Sequence, residues 1–142
     1  MRGRAFPVAA ALLLLGGGAT RSQDDAKATD CAAAQTQHEL THCAARDQAA
    51  AERSLEREFR AARGRIEAAA NGKEGSAGRR LGREALVKLD SLQGRWRRLV
   101  RDQCALEAGL YEGGSIQPMV QARCLAREAH NREGALHVLW AP

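Results

Sequence analysis

TQHELTHC, residues 36–43, decides where the first helix of this chain begins. Thr36 followed three residues later by Glu39 is a capping box. The threonine oxygen accepts from the backbone N–H of residue 39, and the Glu39 carboxylate reaches back to the N–H of Thr36. From that start Leu40, Ala44, Asp47, Ala51, Leu55, Phe59, Ala62 and Ile66 recur at spacings of three and four. They mark one face of a long helix, with Asp47 at its edge. Asn71-Gly72 is a suitable C-terminal stop.

Downstream, the polar stretch NGKEGSAG at residues 71–78 reads as a loop. A second helix is predicted over residues 79–110, with an inward stripe of Leu81, Ala85, Leu89, Leu92, Trp96, Leu99 and Gln103. Gly82 and Gly94 interrupt it, each costing roughly 1 kcal/mol relative to Ala. Gly94 is expected to admit a neighbouring helix beside Trp96. The glycines of residues 109–114 end this helix. Ser115 is expected to cap a third helix over residues 116–139, with Pro118 tolerated in its first turn. No stretch alternates with β periodicity. The expected fold is all-α: an antiparallel helical hairpin plus a third helix.

The four cysteines fit this map. Cys31 and Cys43 would lie about 18 Å apart in one continuous helix, whereas a disulfide needs Cα atoms within roughly 7 Å. A helix that begins at Thr36 lets Cys31 fold back along its first turns. A turn at residues 109–114 brings Cys104 and Cys124 onto adjacent antiparallel helices. Four cysteines allow three pairings; the helix map favours the two local ones, Cys31–Cys43 and Cys104–Cys124.

Residues 1–22 have a basic head, an apolar run ending in Leu12 to Leu15, and a small-residue tail, which together read as a secretory signal peptide. The apolar run is short for a membrane span, and no cysteine stands where a lipid anchor would attach. The chain is therefore expected to carry no membrane anchor after cleavage. Residues 23–30 read as a flexible tether and residues 31–140 as one helical domain. An even cysteine count in a small exported domain favours disulfides and a periplasmic or secreted location. The whole chain has 22 basic and 17 acidic residues; removing Arg2, Arg4 and Arg21 leaves 19 against 17. That balance argues against a nucleic-acid partner. Only five aromatics are present (Phe6, Phe59, Trp96, Tyr111, Trp140), so the core must be built from Ala and Leu.

Residues 38–42 also spell HExxH, in which His38 and His42 would share a zinc ion and Glu39 would act as general base. The extended form is absent, with Ala45 and Gln48 at its later positions. Glu39 already has a structural role in the capping box, so both histidines read as solvent-facing and no metal is expected. Gly113-Gly114-Ser115 follows no strand, which excludes a nucleophile elbow, and reads as a turn. Arg95, Arg97, Arg98 and Arg101 read as a solvated helix face, and Trp96 as core. No cofactor or catalytic residue is assigned.

Taken in order, these residues resemble a known family. Cys31 precedes Gln37, Glu39, Leu40, Thr41, Cys43 and Ala44; then come Leu55 and Phe59, and Gln93, Trp96, Arg101, Asp102 and Cys104. Gly113, Gly114, Ser115, Cys124, Arg132 and Leu136 complete the set. The pattern resembles the LprI-type lysozyme-inhibitor domain over about residues 30–139. In that pattern Glu39 is shared and the two histidines vary. The Arg-Asp pair stands five and six residues after Trp96 rather than four and five. Val100 therefore takes the family arginine's place, and Arg101 points roughly 100° further round the helix. Ala129 stands where a threonine is common.

The resemblance implies a small disulfide-bonded helical domain of the bacterial envelope that performs no catalysis. Glu39, Trp96, Arg101, Asp102, Gly113, Gly114, Ser115 and Arg132 would serve structure or binding. The implied partner is a protein, a lysozyme, blocked by steric occlusion of its cleft. Glu52, Glu56 and Glu58 are the candidate acidic patch for a cationic lysozyme. The alternative is an envelope adaptor that binds another periplasmic protein or a cell-wall component.

Overall fold

A computed structural model describes residues 29–72 and 75–139. The segment 1–22 expected to be a signal peptide, most of the expected tether and Trp140 lie outside the described residues. Three helices follow in order: α1 (Gln37–Asn71), α2 (Gly75–Gly109) and α3 (Gln117–Val138).

The capping box forms as the sequence requires. Thr36 Oγ1 accepts from Glu39 N at 3.2 Å. Glu39 Oε2 accepts from the backbone N–H groups of Thr36 at 2.9 Å and Gln35 at 3.0 Å. These bonds use donors that the first helical turn would otherwise leave unpaired. The inward face of α1 is the expected one: Ala44, Ala51, Leu55, Ala62 and Ile66 are buried, and Asp47 is exposed. The helix stops at Gly72, in a right-handed conformation (φ −73°); the left-handed glycine of this turn is Gly75 (φ +93°). α2 accordingly starts four residues before the predicted Arg79.

α1 and α2 form an antiparallel hairpin, registered by ion pairs of Arg97 with Glu56 and Arg63 with Asp90. α3 returns alongside α1 in the same direction. Gln37 lies against Met119, Ser54 donates to Glu133 at 2.6 Å, and His137 approaches Glu58 at 3.8 Å. α3 is 22 residues against 35 for each of the other two, so the far end of the hairpin extends past it. There α1 and α2 touch directly. A Cβ built on Gly82 would stand 2.1 Å from Ala70 Cβ, so only glycine allows this approach. The expected close approach at Gly94 is not found; its Cβ would meet only Arg98 Nη1 at 3.9 Å.

The inward face of α2 differs from the predicted stripe. Buried positions are Gly78, Gly82, Leu89, Gln93, Val100, Cys104 and Ala108. Of the predicted set only Leu89 and the half-buried Trp96 turn inward. Leu81, Leu92 and Leu99 are 52%, 43% and 65% exposed, and Ala85 and Gln103 are also exposed. Periodicity alone turns the largest apolar side chains inward. Packing instead selects small or bonded ones: a glycine for contact, a half-cystine for the bridge, and Gln93 for a polar bond to α3.

Both local disulfides are present, Cys31–Cys43 with Cα atoms 5.7 Å apart and Cys104–Cys124 with Cα atoms 5.5 Å apart. The turn between α2 and α3 is held by successive backbone bonds, including Gly114 N–H to Tyr111 O at 3.0 Å. Gly113 sits at φ +76°, where a side chain would be strained. Ser115 does not cap α3: Ile116 occupies the N-cap position with no side-chain capping bond, and Pro118 lies in the first turn. Among the described residues, no helix is long and apolar enough to cross a membrane.

Candidate functional site

The three helices leave a groove of ≈ 520 Å³ beside Trp96. Leu55, Val100, Leu125 and Ala129 form its apolar floor, drawn from all three helices. Its rim is charged: Glu52, Arg53 and Glu56 on α1, Arg97 and Arg101 on α2. Arg97 donates to Glu56 at 2.8 Å, fastening one side. Arg53 and Arg101 have no ion pair among the described residues, and both are exposed. Residues 100 and 101 go to different places. Val100 enters the core against the Cys104–Cys124 bridge, while Arg101 reaches the groove rim.

Trp96 is held from the α3 side. Arg132 lies over its ring, 5.9 Å from the centroid, and donates Nε–H to Gln93 Oε1 at 3.0 Å. Gln93 is buried, and its Nε2 has no partner among the described residues. Burial pulls the Arg132 guanidinium below its ordinary arginine pKa; an arginine remains charged nonetheless. The charge is therefore accommodated by an indole face and an amide oxygen. Sequence reasoning missed Gln93 as an inward residue, although its spacing of three from Trp96 was visible.

The remaining resemblance residues do not gather at this groove. Glu39 lies at the start of α1, and backbone donors from Thr36 and then Gln35, with the Thr36 hydroxyl, lower its pKa. His38 and His42 are exposed on the same turn. Among the described residues no three His, Cys, Asp or Glu side chains group to hold a metal. Asp102 is exposed on another side of α2, and Gly113, Gly114 and Ser115 form the α2–α3 turn. The proposed acidic patch is largely neutralised: Glu56 pairs with Arg97, and Glu58 is half-buried beneath Arg65 and His137. Glu52 accepts from Gln48 at 2.8 Å. A further exposed pair, Arg127 with Glu107 at 2.9 Å, lowers the pKa of the carboxylate and raises that of the guanidinium.

Comparison with known protein families matches residues 28–136 to the family described as Lysozyme inhibitor LprI. No curated protein and no solved structure matches the chain.

Proposed function

The chain belongs to the lysozyme inhibitor LprI family, and from that membership we propose an exported, non-enzymatic protein that binds a lysozyme and occludes its substrate cleft. The family match over residues 28–136 carries this reading. Two disulfides suit an oxidising compartment, the periplasm or the medium beyond it. They also pre-order the helical body, which reduces the entropy lost on docking.

The Trp96 groove is the proposed docking face. Lysozymes cleave with two carboxylates that flank the scissile bond, one of them a protonated acid. Arg53 and Arg101 project guanidiniums beside an apolar floor, without carboxylates of their own. A guanidinium set against that catalytic pair forms strong charge-assisted bonds and holds the acid ionised, unable to donate its proton. With 19 basic and 17 acidic residues after the leader, attraction over long range is weak; affinity then rests on shape and on these local pairs.

The test is a titration of lysozyme acting on bacterial cell walls with the oxidised protein. Inhibition that saturates near equimolar protein is expected. Arg101→Glu should raise the concentration required by roughly tenfold or more. Absence of inhibition at large molar excess overturns the reading. An unchanged titration for Arg101→Glu moves the docking face away from the groove.

A further inference from the structure

The leucines that packing turned away from the core form a row of their own. Leu92, Leu99 and Leu106 stand seven residues apart on α2, Leu110 follows just past its C-terminal end, and all four are exposed. Leu99 is 65%, Leu106 75% and Leu110 79% exposed. Arg95 and Asp102 lie between the leucines on the same face, at steps of three and four. Neither forms an ion pair among the described residues. The face therefore reads Leu, Arg, Leu, Asp, Leu over about 21 Å of helix from Leu92 to Leu106.

We propose that this face pairs with the same face of a second copy, α2 against α2, antiparallel, with Leu99 at the two-fold axis. The order of side chains selects both partner and direction. Reversing the row exchanges Arg95 and Asp102 and returns leucine to leucine. An antiparallel copy thus sets Leu99 on Leu99, Leu92 near Leu106, and Arg95 near Asp102 at both ends. A parallel copy would oppose arginine to arginine and aspartate to aspartate. Self-complementarity of this kind is the requirement of a two-fold interface, and a foreign protein imposes no such palindrome. An anionic lipid surface fits less well, because Asp102 in mid-row would be repelled.

At roughly 100° per residue, Arg97 and Arg101 lie on the opposite flank of α2 from this row. The dimer leaves both Trp96 grooves open, and its existence is independent of lysozyme binding. A single helix face is small for an interface, so the dimer is reversible and depends on concentration.

The test is sedimentation or light scattering of the oxidised chain from micromolar to near-millimolar concentration. A monomer–dimer equilibrium is expected. Arg95→Asp or Asp102→Arg alone should weaken it roughly tenfold or more by setting like charges opposite each other. The double exchange, R95D with D102R, should restore it, because the swapped row is again self-complementary. All these residues are exposed, and helical circular dichroism with intact disulfides verifies that each variant is folded. As an independent measure, Leu99→Cys should cross-link to its own copy under mild oxidation, as only a residue at the axis can. A chain that stays monomeric throughout overturns the proposal, as does a dimer indifferent to both single reversals. So does a monomer whose Leu99→Glu variant loses lysozyme inhibition or vesicle binding, since that assigns the row to another occupant.

Discussion

Thr36 and Glu39 show how two side chains place an entire element. Their reciprocal bonds start α1 after Cys31, which lets that cysteine turn back to Cys43. Thr36→Ala should destabilise the protein by about 1 kcal/mol, read from a denaturant midpoint. The Glu39 carboxylate has a pKa below the usual 4.5, because backbone N–H groups bind its charged form. Its contribution is therefore complete above the unfolded-state value and disappears as pH falls through the lower folded value. Thermal midpoints of the native chain and of Glu39→Gln should differ at neutral pH and converge as the pH falls through and below the lowered folded-state value. A constant difference down to pH 2 would remove the carboxylate's charge from the account.

Between helices, the contrast of two glycines separates contact from propensity. At Gly82 a methyl group collides with Ala70, so Gly82→Ala must spread α1 from α2. Overpacking of this kind costs about 1–3 kcal/mol, only partly offset by the roughly 1 kcal/mol gained in helix propensity. At Gly94 the same methyl group meets only the end of Arg98, 3.9 Å away. Gly94→Ala should stabilise by up to about 1 kcal/mol. Opposite signs for the two variants, measured by chemical denaturation, are the expected result. The sequence carried the lengths of all three helices within a few residues, because caps and glycine turns are local. It did not carry the rotation of α2. Two faces of that helix are apolar, one rich in leucine and one holding Gly82, Val100 and Cys104, and periodicity alone ranks the leucines first.

Covalent bridges and shared grooves belong to the assembled body. Cys104–Cys124 joins α2 to α3 beside Val100 and Trp96, beneath the groove. Replacing both of these cysteines by serine should cost about 3 kcal/mol. It should also weaken the proposed lysozyme inhibition, because Leu125 and Arg101 would lose their fixed separation across the groove. Breaking Cys31–Cys43, which fastens the segment before α1 back onto α1 and joins no two helices across the groove, should cost a similar amount in stability while leaving the titration of the proposed inhibition nearly in place. Equal losses of inhibition from both bridges would argue for general softening of the body rather than a localised docking face.

The helical class, the start of α1, the α2–α3 turn and the local cysteine pairing follow from short-range rules, in which a cap, a glycine or a rise per residue suffices. The same holds for the capping role of Glu39, which is written within four residues. Which face of α2 turns inward, and which charges remain unpaired, required the packed helices. A side chain's burial depends on what stands opposite it, and residues 97 and 56, or 132 and 93, meet only after the chain has folded back. The groove at Trp96 and the leucine row at Leu99 both arise from that long-range choice, for which the linear order of residues offers no local signal.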